Sequence, residues 1–151
     1  MLPLDGVRVI EFCNVAAGPF CGMLLADLGA TVIKVEKPGT GDDTRTWGPP
    51  FLKDRQGHDT TDAAYYLGCN RGKLSVAIDF TQAEGRALVA GLAAQADVLV
   101  ENYKVGGLAK YGLDYASLAP QNPRFVYASI TGFGQDGPYA SRAAYDFIIQ
   151  G

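Results

Sequence analysis

The residues of this chain that could do chemistry stand directly after short apolar runs. Each of five runs is followed by such a segment: Asn14–Pro19 (NVAAGP), Glu36–Pro38, Asp79–Thr81, Glu101–Tyr103 and Thr131–Pro138. If the runs are parallel strands, these segments share the carboxyl edge of one sheet, which is where α/β proteins bind ligands. The first segment also begins a helix, and free backbone N–H groups at a helix start favour an anion or a carbonyl oxygen.

Basic side chains near these segments are candidate ligands for phosphate groups. Lys37 comes directly after the second run, and Arg71, Lys73 and Lys110 lie farther along the chain. Several cations would be needed to hold a pyrophosphate and a ribose phosphate, because one such contact in water contributes only modestly. No single one of these residues predicts a phosphate site, but the four together predict that this edge of the sheet binds phosphate groups.

A dinucleotide site and a metal site are the first alternatives to consider. A dinucleotide site needs the spacing G-x-G-x-x-G for close approach to the pyrophosphate, whereas the first turn offers only Gly18 and Gly22. His58 is the one histidine and stands in a polar loop, and the three cysteines form no CxxC pair. The sequence therefore predicts no NAD site, no histidine-based triad and no zinc site.

The hydrophobic pattern predicts the elements that must position these residues. Short apolar runs predict strands at Val7–Phe12, Thr31–Val35, Leu74–Ile78, Val98–Val100 and Phe125–Ile130. Helical spacing predicts helical segments at Phe20–Leu28, Gln82–Ala94, Val105–Lys110, Tyr115–Leu118 and Ala144–Gln150. This alternation predicts an α/β fold, a Rossmann-like, mostly parallel sheet with flanking helices. From Glu36 to about Thr61, proline and glycine break every regular pattern, so we expect a long irregular loop.

The composition is that of an ordinary globular protein. Of 151 residues, 48% are hydrophobic and 19% are charged, and the formal net charge is −3. The sequence has no basic block for nucleic acid, no signal-peptide pattern at Met1–Asp5, and no apolar run of the roughly 20 residues that span a membrane. We therefore expect a cytoplasmic protein. The last residues, Phe147–Ile149, are apolar and lack a stop signal, which predicts that the domain continues beyond Gly151.

Several segments, taken in order, resemble one protein family. They are LDGVRVIEF, AAGPF, LLADLGATVIKVEKPGTGD, NRGKLSVAIDF, ADVLVENYKVGGLAKYGLDY and NPRFVYASITGFGQDGPYASRAAYD. Each motif alone is weakly specific, but the ordered set is similar to the class III CoA-transferases, of the formyl-CoA transferase or CaiB/BaiF type, from Leu4 onward. The resemblance implies that residues 1–151 are the N-terminal part of the large, CoA-binding domain of such an enzyme.

The resemblance also implies a reaction. Members of this family exchange coenzyme A between an acyl-CoA and a carboxylic acid through an aspartyl anhydride and thioester, with no metal or redox cofactor. Coenzyme A is thus a substrate. The nucleophilic aspartate is expected beyond Gly151, so we expect the chain alone to be inactive. The full-length form is expected to be an intertwined homodimer.

Matching the motifs of the family residue by residue predicts the contacts with coenzyme A. The contacts are assigned to Ala16, Ala17, Lys37, Ile78, Asn102, Tyr103 and Lys110, and supporting roles near the active site to Tyr145 and Asp146. In this assignment Ala16 and Ala17 face the thioester, whereas Lys37 lies near the adenosine and Lys110 near a phosphate. Some relatives have a glutamine in place of Ala16, so only backbone donors are expected at that position here.

Two other functions stay open on the sequence. Racemases of 2-methylacyl-CoA share the fold, but they have a Gly-His-Asp triplet where this chain has Ala144-Tyr145-Asp146. A tyrosine hydroxyl is a poor base at neutral pH, which favours the transferase. The other possibility is a non-catalytic CoA-binding or assembly fragment whose partner chain supplies the aspartate.

Overall fold

Short strands rich in β-branched residues alternate with helices in the computed structural model of the chain, which describes residues 1–151. The strands are β1 (Arg8–Phe12), β2 (Thr31–Glu36), β3 (Phe51–Lys53), β4 (Asp59–Ala63), β5 (Leu74–Ala77), β6 (Val98–Glu101) and β7 (Val126–Ser129). The α-helices are α1 (Ala17–Asp27), α2 (Ala64–Asn70), α3 (Ala83–Ala93), α4 (Tyr115–Leu118) and α5 (Asp146–Gln150). Short 3₁₀ helices lie at Asp43–Thr46, Ala109–Tyr111 and Ala119–Gln121.

Five of the strands form one parallel sheet in the order β5-β2-β1-β6-β7, and β3 and β4 form a separate antiparallel hairpin. Parallel strands of one sheet need crossover connections, and α1 and α3 lie on two of them, from β1 to β2 and from β5 to β6. The chain builds outward from β1 to β5 on one side and then returns to add β6 and β7 on the other. The gap between the carboxyl ends of β1 and β6 is therefore the switch point at which doubly wound sheets bind ligands.

Each face of the sheet has its own hydrophobic core. Successive residues of β1 point to opposite faces, so Ile10 and Phe12 enter the larger core with residues of α3. Val9 and Cys13 enter the smaller core, against which residues of α1 pack. Glu11 lies between Val9 and Cys13 on that face and is fully buried. A carboxylate therefore stands inside the core beneath α1, and it needs a partner there.

Helix α1 passes very close to the sheet at two glycines. A Cβ atom at Gly18 would overlap the side chain of Cys13, and one at Gly22 would overlap the carboxylate of Glu11. The two glycines are four residues apart, so they lie on the same face of the helix. Their missing side chains leave the space that Cys13 and the buried Glu11 occupy.

The predicted α/β fold with a mostly parallel sheet is confirmed. All five predicted strands are present, and α1 begins at Ala17 because the first helical turn accepts Pro19. The helical segment expected at Val105–Lys110 is wrong: only the short 3₁₀ helix occurs there, since Gly106 and Gly112 have positive φ angles that no right-handed helix allows.

The loop expected between Glu36 and Thr61 is also more ordered than predicted. It contains a 3₁₀ helix and the β3–β4 hairpin, whose turn is closed by the Asp54 carboxylate accepting from the N–H groups of Gln56 and His58 at 2.9 Å each. These strands are short and mostly polar, so they have no hydrophobic alternation to reveal them. None of the helices in the fold is both long and apolar enough to cross a bilayer.

Candidate functional site

The turn after β1 lies at the switch point and is tied to the loop after β6. The side chain of Asn102 makes two hydrogen bonds to Asn14: its Oδ1 accepts from the Asn14 N–H at 3.0 Å, and its Nδ2 donates to the Asn14 carbonyl oxygen at 2.8 Å. Strands β1 and β6 are parallel neighbours, so the first residues of their loops meet at the same edge. Asn102 therefore clamps the turn with both polar atoms of its side chain.

Beyond Asn14 the backbone bends sharply and leaves three N–H groups free. Val15 has a φ angle of +69°, in the left-handed region that β-branched residues seldom enter. Ala16 follows as the N-cap of α1, and the N–H groups of Ala16, Ala17 and Gly18 donate to no acceptor in the chain. Unsatisfied donors at the positive end of a helix dipole suit an oxygen atom that carries negative charge.

An aromatic cluster occupies the α3 face of the same edge. The ring of Phe80 contacts Phe12, Tyr103 and Tyr111 edge to face, with centroids 5.6, 6.0 and 5.3 Å apart. The ammonium group of Lys110 lies 4.8 Å from the centroid of the Tyr111 ring, within the range of a cation–π contact. The cluster therefore links two of the predicted coenzyme A contacts, Tyr103 and Lys110, through touching rings.

Lys37 and Ile78 stand at the ends of β2 and β5 on this edge. Lys37 is exposed, and its charge adds to the effect of the Thr81 hydrogen bonds, which lower the pKa of Asp79 in the loop after β5. Ile78 is only 8% exposed and packs in the larger core. Its side chain is occupied there, so a ligand contact at this position would have to come from the backbone.

A network of buried charges lies beneath the turn on the α1 face. Lys34 is wholly buried, with its ammonium group 2.9 Å from Glu11 Oε1, 3.0 Å from Asp42 Oδ2 and 2.5 Å from the carbonyl oxygen of Cys13. Lys73 approaches the other oxygen of Glu11 at 2.7 Å. Each buried carboxylate thus faces an ammonium group, which offsets the cost of removing its charge from water.

Glu36 extends these charged contacts into the loop after β2. Arg45 donates to both oxygens of Glu36, at 3.2 and 2.6 Å, and to Asp62 at 2.5 Å. The guanidinium of Arg45 also lies 3.8 Å from the centroid of the Tyr66 ring in α2. These contacts attach the hairpin and α2 to the sheet, so the loop has a defined shape next to the turn.

The contacts of Lys34 and Asp42 keep both groups charged at neutral pH. Burial alone would lower the pKa of Lys34, but Glu11 and then Asp42 outweigh this effect and raise it. Burial would likewise raise the pKa of Asp42, yet hydrogen bonds from Thr44 and the charge of Lys34 lower it. The pair is therefore an ammonium–carboxylate pair in the folded protein.

Acid should destabilise the fold through Asp42 and Glu36. Burial would raise the pKa of Glu36, but hydrogen bonds from Arg45 outweigh it and lower the pKa. The ionised carboxylates of Asp42 and Glu36 stabilise the fold at pH values above their pKa values in the unfolded chain, which are about 3.9 and 4.3. This stabilisation is lost as the pH falls through their lower pKa values in the folded protein. We expect the free energy of unfolding, from urea titrations, to fall below about pH 4 by up to about 1.4 kcal/mol per pH unit for each group.

Glu36→Gln provides the control for this pH dependence. The amide side chain that Glu36→Gln introduces does not titrate. The free energy of unfolding of this variant should therefore fall less steeply with decreasing pH below about pH 4. An identical slope in the variant and the natural chain would show that Glu36 makes no contribution.

A cleft of about 570 Å³ opens beside the carboxyl ends of β6 and β7. Its lining includes Lys104, Gly107, Tyr127 and Ser129, with Glu101 at its base accepting a hydrogen bond from the Ser129 hydroxyl. The volume falls within the range of about 300–1,000 Å³ that is typical of small-molecule sites. The edge therefore offers both donors and space for part of a ligand.

Tyr145 and Asp146 lie apart from this arrangement in the structure. Both are on the surface at the start of α5, where Tyr145 is 77% exposed and the Asp146 carboxylate accepts a hydrogen bond from Gln150. No hydrogen bond or ion pair joins either side chain to the turn or to the buried charges. Their supporting role stays a prediction.

Two of the basic residues considered as phosphate ligands have partners within the chain. Lys73 has only 2% of its side chain exposed and pairs with Glu11, so its assignment to phosphate is wrong. Arg71 pairs with Asp27 at 2.5 Å on the surface. Of the four cations, Lys37 and Lys110 are exposed without an ion-pair partner in the chain.

The buried charges were not predicted from the sequence. Glu11 and Lys34 each interrupt an apolar run, and in the parallel register they stand directly opposite each other on β1 and β2. A charged residue inside a run that predicts a buried strand was the available signal, because such a residue needs a partner. Asp42, by contrast, lies in a loop and carried no such signal.

Comparison with known proteins gives one consistent result. The profile of CoA-transferase family III matches residues 4–151. Succinate–glutarate CoA-transferase of Agrobacterium fabrum is 58% identical over 149 residues, covering 99% of this chain and 37% of that protein. Human succinyl-CoA:glutarate CoA-transferase is 49% identical over 146 residues, covering 97% and 32%.

A solved structure agrees with these relatives. The crystal structure of a CaiB/BaiF family protein from Brucella suis superimposes with a TM-score of 0.92 at 59% identity, covering 99% of this chain and 38% of that one. The chain thus spans about a third of the length of the proteins it matches.

Proposed function

The chain belongs to CoA-transferase family III, and we propose that it forms the coenzyme A-binding part of an enzyme that exchanges coenzyme A between an acyl-CoA and a carboxylic acid. The observation that carries this proposal is the set of free N–H groups at Ala16, Ala17 and Gly18, at the switch point of the sheet. Two exposed cations, Lys37 and Lys110, follow strands at the same edge. Donors for a carbonyl oxygen and charges for phosphates are the two things that an acyl-CoA site requires.

The free N–H groups would receive the thioester oxygen. When a carboxylate attacks the thioester carbon, the carbonyl electrons move onto that oxygen, and the coenzyme A thiolate then leaves as the acyl–carboxylate anhydride forms. Donors already in place stabilise the negative oxygen more than the neutral carbonyl, so they accelerate the step. The attacking carboxylate is proposed to follow Gly151, as in the family, with Tyr145 and Asp146 in supporting roles.

The remaining assigned residues would hold the other parts of coenzyme A. Lys37 and Lys110 would bind phosphates as point charges, and Tyr103 would present its ring and backbone to the pantetheine and adenosine parts. Ile78 would contribute through its backbone, since its side chain is in the core. The relatives named for succinate and glutarate support short dicarboxylic acids as the class of acceptor.

Binding of coenzyme A to the chain tests the proposal. Lys37→Ala and Lys110→Ala should each weaken binding about fivefold in isothermal titration, because a phosphate loses a charge-assisted contact, and added salt should weaken binding to the natural chain. Lys53→Ala is the matched control: Lys53 is an exposed lysine that pairs with Asp59 on the hairpin, and its loss should leave the affinity unchanged. Equal affinities for all four proteins would contradict the assignment of the two cations.

Activity measurements separate the transferase from the other two functions. With acyl-CoA and a dicarboxylic acid, we expect no turnover by the 151-residue chain, and turnover that Asp146→Ala abolishes would show that the chain carries its own nucleophile. Exchange of the α-proton of an acyl-CoA in heavy water would instead indicate a racemase. Binding of coenzyme A with activity only when a second chain is added would indicate an assembly fragment.

The cellular location and the assembly also belong to this proposal. A cytoplasmic location is part of this proposal, and the composition of an ordinary globular protein supports it. The resemblance supports an intertwined homodimer for the full-length form. Sedimentation of a polypeptide that extends past Gly151 would reveal a monomer if this part of the proposal is wrong.

A further inference from the structure

The turn that presents the free N–H groups is held by charged side chains from elsewhere in the fold. We infer that Lys34 and Asp42, acting with Asn102, are positioning residues that force Val15 into the left-handed conformation and so direct the N–H groups of Ala16 and Ala17 toward the thioester. The inference rests on the proposed function only for the identity of the group that those donors receive.

The two peptide units before the free N–H groups are each held on both sides. In the first unit, the carbonyl oxygen of Cys13 accepts from Lys34 at 2.5 Å and the N–H of Asn14 donates to Asn102 at 3.0 Å. In the second, the carbonyl oxygen of Asn14 accepts from Asn102 at 2.8 Å and the N–H of Val15 donates to Asp42 Oδ1 at 3.3 Å. The path of the chain into Val15 is therefore determined by side chains.

The side chain of Val15 does not itself favour the left-handed conformation. A β-branched side chain in the left-handed region crowds its own backbone, and glycine is the residue that enters it freely. Such strain persists only where the surroundings over-determine it, and it concentrates at functional sites. The hydrogen bonds on both sides of the 14–15 peptide supply that constraint here.

Asp42 is suited to this task by its own surroundings. It is fully buried, and Lys34 holds its Oδ2 while its Oδ1 accepts from the N–H and the hydroxyl of Thr44 at 2.9 and 2.7 Å. These contacts hold the Asp42 carboxylate from both of its oxygens. Through Asp42, the loop after β2 therefore helps to fix the conformation of the turn after β1, although the two are far apart in sequence.

The test compares Asp42→Ala with the double variant Asp42→Ala/Val15→Gly in the full chain. The first readout is the conformation of residue 15, from NMR backbone chemical shifts and coupling constants. We expect φ at Val15 to become negative in Asp42→Ala. Glycine reaches a positive φ without help, so the double variant should recover the native chemical shifts at Ala16 and Ala17.

The second readout is the affinity for acetyl-CoA compared with free coenzyme A. Asp42→Ala should lose about fivefold in affinity for acetyl-CoA and little for coenzyme A, and the double variant should regain most of the loss. Thr44→Val is the control, since it removes the buried hydrogen bond that the Thr44 hydroxyl donates to Asp42 but keeps the contact of Asp42 with Val15. It should leave the ratio of the two affinities unchanged.

The possible results separate this inference from the proposed function. A left-handed Val15 that persists in Asp42→Ala overturns the inference, whatever the affinities. A changed φ with an unchanged affinity ratio supports the positioning role and contradicts the thioester as the group received. If Asp42→Ala does not fold, Asn102→Ala releases the same peptide unit without leaving an unpaired charge, and an unaltered φ in that variant overturns the inference equally.

Discussion

Replacing Lys34 with methionine should lower the free energy of unfolding by about 3–5 kcal/mol, which is the typical cost of breaking a buried ion pair from one side. Methionine keeps the length and the apolar volume of the side chain but removes the ammonium group that faces Glu11 and Asp42 at 2.9 and 3.0 Å. Lys73 still reaches Glu11 at 2.7 Å, but Asp42 has no second cation. A buried carboxylate is then left without a counterion.

Urea unfolding followed by circular dichroism measures this effect. Domains have total stabilities of about 5–15 kcal/mol, so the variant should be marginally folded or unfolded without denaturant. Lys53→Met is the matched control, because the pair between Lys53 and Asp59 is more than half exposed on both sides. It should change the stability by less than about 1 kcal/mol. Similar losses in both variants would mean that burial of the Lys34 pair has no special importance.

Gly85→Ala should destabilise the fold by about 1–3 kcal/mol, the usual cost of overpacking. A Cβ atom at Gly85 would lie 2.6 Å from the carbonyl carbon of Asp79 and 3.0 Å from the nitrogen of Phe80. These are backbone atoms, so no change of rotamer relieves the overlap. The start of α3 would have to move away from the loop after β5, which carries Phe80 of the aromatic cluster.

Gly91→Ala in the same helix provides the comparison. A Cβ atom at Gly91 meets nothing within 4 Å, and the residue is exposed in the last turns of α3. Alanine costs less backbone entropy than glycine in a helix, so this variant should be more stable by about 0.5–1 kcal/mol. The two substitutions are chemically identical, and opposite signs in thermal or urea unfolding are expected. Stabilisation by both would show that α3 is free to shift at Gly85.

Much of the candidate site followed from local sequence patterns. The loops after β1, β2, β5 and β6 could be assigned to one edge because apolar runs and turns recur in a strand–helix alternation that only a parallel sheet accommodates. The turn at Asn14–Pro19 was identified in the same way, from glycine and proline next to a run of β-branched residues. Its position at the switch point follows from the strand order β5-β2-β1-β6-β7, which local patterns do not specify.

Other parts of the site were beyond sequence reasoning. Lys73 was assigned to phosphate because a lysine near a predicted ligand edge is normally exposed, but the strand order places it against Glu11 instead. The assignment of Asn102 to coenzyme A stays a prediction, but the hydrogen bonds of its side chain to Asn14 were not anticipated. In both cases the partner lies more than sixty residues away along the chain, so nothing local to either residue indicates it.

The sequence by itself determined the α/β class, the edge at which a ligand would bind and the family, because periodicity, turn residues and ordered motifs are local properties of the chain. Only the tertiary structure decided which charges are buried together and how the first turn is shaped. Lys34, Asp42 and Val15 meet because parallel strands bring their ends to one edge, and the left-handed conformation of Val15 exists only while those long-range contacts hold it.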